Sequence, residues 1–240
     1  MNQKRSARPA KKNAGATRAI QGLTPIALPE PKPGRGGTVL MALRRRRTTR
    51  TISDKKLSLQ ALSNLLWAAF GVNRKKGPFG VPGRTAGSAS NSREIDIYVA
   101  LSEGTYMYEA ATHKLIPVAS GDLRALAIGP GQQGAGANAP VRLMYVADLD
   151  RFSQAGFQEP GLYDPEIQKS YYYVDTGLIA ENVYLFASSE GLATWFHNCD
   201  RLALAKRLNL RTTQRALFGQ TVGYPAKTAR RKAKGGRLSA

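Results

Sequence analysis

Seven consecutive residues, Arg44-Arg45-Arg46-Arg47-Thr48-Thr49-Arg50, hold five guanidinium groups and two hydroxyls. Planar cationic donors at that density supply charge-assisted hydrogen bonds to a phosphate from more than one side, which makes the run a candidate phosphate clamp. It also reads as a basic helix end, where arginines of a last turn meet the negative end of the helix dipole and stay in water. A second stretch, Gly87-Ser88-Ala89-Ser90-Asn91, joins small residues that let backbone approach a flat ligand with side chains that donate and accept hydrogen bonds. An ordinary Gly/Ser loop has the same composition.

Other chemistries lack their parts. His113 and His197 are the only histidines, neither in a metal-ligand spacing, and there is no Gly-x-Ser-x-Gly elbow, so neither a metal centre nor a serine hydrolase is expected. Residues 129 to 136 are glycine-rich but lack the spacing and the strand-to-helix context of a dinucleotide or P-loop fingerprint. Cys199 is the single cysteine, so no intrachain disulfide can form.

Both stretches need elements to hold them. Val39, Leu40, Met41 and Leu43 predict a short helix that runs into the arginines. Ser58 is a natural N-cap for a helix ending at Phe70, with Leu57 and Leu62 as a hydrophobic staple. Leu62, Leu65, Leu66, Ala69 and Phe70 lie on one face at helical spacing, and Gly71 is placed as a C′ glycine. Residues 75–93 read as a loop. Ile95 to Leu101, Gly104 to Glu109 and Lys114 to Val118 predict an antiparallel meander, and Val141 to Ala147 a further strand. A short helix is expected from Gly121, a covering loop over 129–139, an irregular stretch over 149–165 and a long helix from Pro165 to Glu190. A short strand near Ala193, a surface helix from Asp200 to Leu208 and a strand from Leu217 to Val222 complete the chain.

The net charge of +20 sits mainly at the ends. Residues 1–50 hold 13 Lys/Arg and one acid, residues 225–240 hold six Lys/Arg and no acid, and residues 51–224 keep only +2. A nucleic-acid reader is expected to carry its basic face on the folded part. The division expected is a basic arm over 1–25, one domain over 26–225 and a basic tail over 226–240, with non-specific polyanion contact open to the ends. The longest apolar run, Leu65 to Val72, is too short to span a bilayer, and a cytoplasmic protein is the expectation.

The residues downstream of the arginines carry a family resemblance. Arg46-Arg47-Thr48-Thr49-Arg50, then Leu57-Ser58-Leu59 and Leu65-Leu66-Trp67-Ala68-Ala69-Phe70-Gly71-Val72-Asn73-Arg74, resemble the opening of the nitroreductase-like FMN-dependent oxidoreductases, in particular the branch that includes the azoline dehydrogenases of thiazole and oxazole peptide biosynthesis. Ser88, Ala89 and Asn91 are similar to the family's Pro-Ser-Ala-x-Asn loop, with Gly87 in place of the proline. Gly104-Thr105-Tyr106-Met107-Tyr108 with His113-Lys114-Leu115 extends the match. Gly177, Asn182, Val183, Tyr184 and Leu185 resemble the family's interface helix, with Glu181 where glutamine is common. The resemblance spans about residues 26–225.

It implies an α+β, nitroreductase-like fold: a central, mostly antiparallel sheet flanked by helices, in an obligate homodimer with FMN at the interface. It assigns the phosphate to Arg46, Arg47 and Thr48, and the phosphate or the pyrimidine edge to Arg50. Gly87, Ser88, Ala89 and Asn91 would lie against the flavin ring and ribityl chain. Asn198 stands where a backbone donor meets the reactive N5, and Arg230 or Arg231 would add a second basic group. The implied reaction is two-electron hydride transfer between a donor such as NAD(P)H and an organic acceptor, or oxidation of an azoline with oxygen as acceptor. A nucleic-acid or anion-binding protein that keeps the fold and works through its basic ends is the other reading.

Overall fold

The computed structural model describes residues 20, 22–32, 34, 37–132, 136 and 138–226. The first elements are strand β1 (Ile26–Ala27), helix α1 (Val39–Arg45), helix α2 (Leu59–Phe70) and a small hairpin of β2 (Val72–Arg74) and β3 (Gly83–Arg84). Strands β4 (Ile95–Ala100), β5 (Gly104–Glu109), β6 (Lys114–Ser120) and β7 (Val141–Asp148) come next. The chain then forms the long helix α3 (Pro165–Ser189), strand β8 (Ala193–His197), helix α4 (Arg201–Arg207) and strand β9 (Gln214–Gly223).

Seven strands make one sheet in the order β1-β6-β5-β4-β7-β9-β8, each pair antiparallel, so the expected antiparallel sheet with flanking helices is present. The central strands β4 and β7 are buried along their whole length. Side chains alternate between two faces, and both faces are covered. Ile95, Ile97, Val99, Leu143 and Tyr145 enter the larger core with α2 and α3, while Tyr98, Ala100, Met144 and Val146 pack with Leu204 of α4 and Ala127.

Helix α2 starts where expected: the Ser58 hydroxyl accepts from the Ala61 amide at 3.1 Å, which satisfies a first-turn donor. Leu65 and Leu66 are fully buried, each stabilising by roughly 1.5–3 kcal/mol relative to exposure. Helix α3 is capped by Asp164, whose side chain accepts from the amides of Glu166 and Ile167, with Pro165 in the first turn.

Several expectations change. Gly71 ends α2 with φ −73°, not in the left-handed region of a C′ glycine. Glycine is required there by space, since a Cβ would lie 2.7 Å from the Trp67 backbone. No helix starts at Gly121: Leu126 and Ala127 donate to the Leu123 carbonyl in a single turn, and Gly129-Pro130 prevents continuation. The 75–93 loop holds β3, which pairs back onto β2 just before it, and the 149–165 stretch folds into two short 3₁₀ turns, Leu149–Gln154 and Pro160–Tyr163. The packed unit also extends before residue 26, because Leu23 lies on the core and would meet a Cβ placed on Gly104 at 2.4 Å. Most of the N-terminal arm, the tail from residue 227, and residues 133–135 and 137 of the covering loop lie outside the described residues. Among the described residues no helix is long and apolar enough to cross a membrane.

Gly71→Ala is expected to destabilise the fold by about 1–3 kcal/mol through overpacking, read as a lower urea midpoint at unchanged slope. An unchanged midpoint would refute the steric reason for the glycine.

Candidate functional site

The arginine run divides. Arg44 and Arg45 close the last turn of α1, as the helix-end reading has it, and the chain leaves the helix at Arg46, whose amide donates to the Ala42 carbonyl. From there it runs beside the edge strand β8, where the Thr49 amide donates to the Thr194 carbonyl at 2.9 Å. The Arg46 guanidinium lies 5.4 Å from the Tyr184 ring centroid, and that of Arg50 lies 5.2 Å from the Trp195 ring. Stacking on a ring holds a guanidinium without neutralising it.

Tyr184 of α3 is the hub. Its hydroxyl accepts from the Phe196 amide at 3.0 Å and shares a hydrogen bond of 3.1 Å with Thr48 Oγ1. Arg44, Arg45, Arg46, Arg47 and Thr49 line one side of a cleft of about 680 Å³ whose other walls include Tyr184, Ser188 and Thr194. The only carboxylate paired with these arginines among the described residues is Glu181, 4.0 Å from Arg46 Nε and half exposed. Four arginines on one cleft with one long ion pair make a site that favours an anion.

Asn198 lies at the far end of β8, four residues beyond Thr194 and ~13 Å along the strand. Its carbonyl accepts from the Gly129 amide at 2.8 Å and lies 2.9 Å from His197 Nδ1. Burial lowers His197 to about 4, so the ring is neutral. Nδ1 carries the proton toward Asn198, and Nε2 accepts from the Thr221 hydroxyl at 2.8 Å. Asn198, Cys199 and Arg201 border a separate opening of about 480 Å³ with Gly129 and Pro130. The other histidine, His113, bridges Ser63 and Tyr108 at 2.7 and 2.9 Å, and Ser63 is fully buried, so neither histidine serves a nucleophile.

The Gly87–Asn91 loop stands apart from the arginines. Ser90, Asn91 and Arg93 all have positive φ, an unusual concentration for residues other than glycine. The Ala89 amide donates to Asp175 Oδ2 of α3 at 2.8 Å, and the Ser88 hydroxyl turns toward Glu94. Asn91 Oδ1 accepts from Arg93 Nε, and its Nδ2 is buried beside Phe79 and Gly156 with no hydrogen-bond partner. The loop's polar side chains are thus engaged within the protein, Ser88 with Glu94, Ser90 with Glu159 and Asn91 with Arg93. Gly87 has room for a Cβ, which would meet only Leu178 at 3.9 Å, so the position where the resemblance has proline demands no glycine.

Helix α3 fixes the relation between the two groups. Asp175, under the loop, and Tyr184, under the arginines, are nine residues apart, which is about two and a half turns and ~14 Å. They therefore occupy opposite edges of the helix's buried face. Arg46, Thr48 and Arg50 come together along β8 with Asn198 at its end, Arg47 faces the cleft, and the loop residues lie on the other side of α3. Arg230 and Arg231 lie outside the described residues. Sequence reasoning gave no role to Tyr184 beyond its motif, nor any to Trp195, Glu94 or Asp175. For Asp175 a signal existed in a carboxylate set between Tyr171-Tyr172-Tyr173-Val174 and Leu178-Ile179-Ala180, whereas Glu94, beside Ser92 and Arg93 just before β4, carried none.

The family model of the nitroreductase family matches residues 43–224. The chain belongs to the nitroreductase family, whose fold is that of flavin-type oxidoreductases. It is 31% identical to a candidate nitroreductase of Ralstonia eutropha JMP134 of known structure, covering 87% of this chain and 98% of that one with a TM-score of 0.72. It is 30% identical over 161 residues to a candidate nitroreductase of Methanocaldococcus jannaschii, covering 62% of this chain and 73% of the relative. The fold is shared with a chain of the Escherichia coli microcin synthetase McbBCD complex, at 21% identity and a TM-score of 0.62 over 75% of this chain and 68% of that one.

Tyr184→Phe is expected to leave the Phe196 amide without its acceptor and to cost about 1–3 kcal/mol. The measurement is urea unfolding together with hydrogen exchange of the Ala193–His197 strand. Unchanged exchange there would show that the tyrosine does not hold the edge.

Proposed function

We propose that the chain is an FMN-dependent oxidoreductase that transfers two electrons as a hydride between NAD(P)H and a small organic acceptor, acting as a homodimer. The observation that carries this reading is the line of Arg46, Thr48 and Arg50 along β8, with two guanidiniums held on aromatic rings and short of carboxylate partners. The residues fit the cofactor. Arg46 and Arg47 supply charge for the phosphate, and the exposed Thr48 hydroxyl supplies a neutral hydrogen-bonding group beside them. Arg50, further along β8 on the Trp195 ring, would stabilise negative charge on the pyrimidine edge. Asn198 and Cys199, beyond the end of β8, would meet the ring end of the cofactor. When bound, FMN supplies the two-electron carrier.

The dimer reading rests on two exposed apolar surfaces. Helix α3 exposes Val174 and Leu178 beside Gly177, where a Cβ would meet nothing within 4 Å, so another helix can approach closely. Helix α1, which packs on α3 through the Ser188 hydroxyl and the Ala42 carbonyl, leaves Val39 and Leu40 67% and 76% exposed. A second copy laid across this face would cover both, and its Gly87–Asn91 loop would complete the site that one copy leaves open.

The test is the visible absorbance of the purified protein before and after denaturation and filtration. Release of about one FMN per subunit is expected. Arg46→Ala and Arg50→Ala should each weaken FMN binding by roughly tenfold to a hundredfold, in line with the loss of a charge-assisted hydrogen bond. With riboflavin, which has no phosphate, the Arg46→Ala penalty should vanish. A colourless protein that takes up no added FMN would overturn the reading.

A further inference from the structure

Beneath the Gly87–Asn91 loop lie two carboxyl groups that the proposed reaction does not use. Glu94 is fully buried and Asp175 is 2% exposed. No cation pairs with either among the described residues: Arg93 donates to the Pro82 carbonyl and Asn91, Arg84 to the Phe70 carbonyl, and Arg151 to Asp96. Glu159, the other acid near the loop, is taken by the hydroxyls of Ser90 and Tyr171. Around the pair stand the hydroxyls of Ser88 and Ser92 and the amides of Ala89 and of Glu94 itself.

The hydrogens there do not suffice. Four oxygen–oxygen contacts join Ser92 to Glu94 Oε2 (2.6 Å), Ser92 to the Ala89 carbonyl (2.8 Å), Ser88 to Glu94 Oε2 (3.3 Å) and Ser88 to Ser92 (3.2 Å). Two hydroxyls supply only two protons. Glu94 Oε1 is buried and receives no donor from the protein, while the two carboxyls hold adjacent residues of the loop, Glu94 at the Ser88 hydroxyl and Asp175 at the Ala89 amide. A proton between them satisfies the orphaned oxygen and removes the repulsion of two buried charges.

We propose that Glu94 and Asp175 share one proton and are the positioning residues that hold the Ser88–Arg93 segment in its strained conformation. Asp175 fixes the Ala89 amide, Glu94 gathers the two serine hydroxyls, and the shared proton joins helix to loop. Loss of that proton sets two anions against each other under a backbone with three positive φ values, and the segment opens.

Rising pH weakens the closed loop. Burial, reinforced by the Asp175 carboxylate, raises Glu94 from 4.5 to about 7, and burial raises Asp175 as well. The closed loop keeps its proton where the open loop, with ordinary carboxyls, has lost it. Its stability is full below about 4.5, falls as pH rises toward about 7, and levels off above. The consequence for the cofactor rests on the proposed flavin site: if the loop meets flavin, FMN affinity falls over the same range. The titration of the loop itself does not depend on flavin.

Hydrogen exchange of the 88–93 peptide in the full-length protein without FMN, corrected for the intrinsic pH dependence of exchange, tests the proposal. Protection should fall by at least about tenfold between roughly pH 5 and pH 8. Glu94→Gln, whose amide donates permanently toward Asp175, should keep the protection and lose the pH dependence. Wild-type protection that does not change with pH, or a Glu94→Gln loop that opens as the wild type does, overturns it. The carboxyl carbon shift of Glu94 in the wild type gives a reading without any variant: a midpoint in the ordinary range below about 5 excludes the shared proton. FMN affinity measured in parallel separates the two ideas, since a loop that titrates in a protein that takes up no FMN supports the proton pair and refutes the flavin reading.

Discussion

A single helix can bury only part of its circumference within one subunit, and that limit governs how this molecule is built. Helix α3 turns Ile179, Val183 and Ala187 into the core, holds Tyr184 and Asp175 at opposite margins of that face, and leaves Val174, Gly177 and Leu178 outside. The arginine line depends on one margin through Tyr184, and the Gly87–Asn91 loop on the other through Asp175. Each group is well supported, yet the helix stands between them. In the proposed homodimer, two-fold symmetry resolves the difficulty, because it sets the loop of one copy against the arginines of the other.

Electrostatics gives the two margins opposite characters. On the Tyr184 side, cations are held by aromatic rings and left short of carboxylates, so charge is available to a ligand. On the Asp175 side, carboxyls are buried without cations and governed by a proton. The first arrangement suits recognition of a phosphate. The second suits the shaping of a backbone that must present itself to a flat ring.

The sheet, the two main helices and the arginine run were legible because each has a local cause: the Ser58 cap, the helical spacing of Leu62 to Phe70, the alternation in β4. The alternation did not tell that both faces of β4 are covered, since Tyr98 and Ala100 look like a solvent-side set until α4 packs on them. Gly71 was recognised as a stop, but for the wrong reason, because its closeness to Trp67 depends on the path taken after the helix. Tyr184, Trp195 and Asp175 gained their roles from contacts across 12 to 145 residues of sequence, which no local pattern encodes. Arg50 was found by its motif, whereas its ring partner Trp195 was not, since nothing in an edge strand marks which residue a distant arginine will cover.

In the proposed homodimer a complete flavin site takes its arginines from one copy and its loop from the other. Coexpression of two inactive variants tests this directly: Arg46→Ala/Arg50→Ala, which lacks the arginine line, and Ala89→Glu, which obstructs the loop. Each homodimer should bind no FMN, while the purified heterodimer has one site with both defects and one with neither. About one FMN per heterodimer is the expected result. A heterodimer as empty as its parents would show that each site belongs to a single copy and would contradict the account.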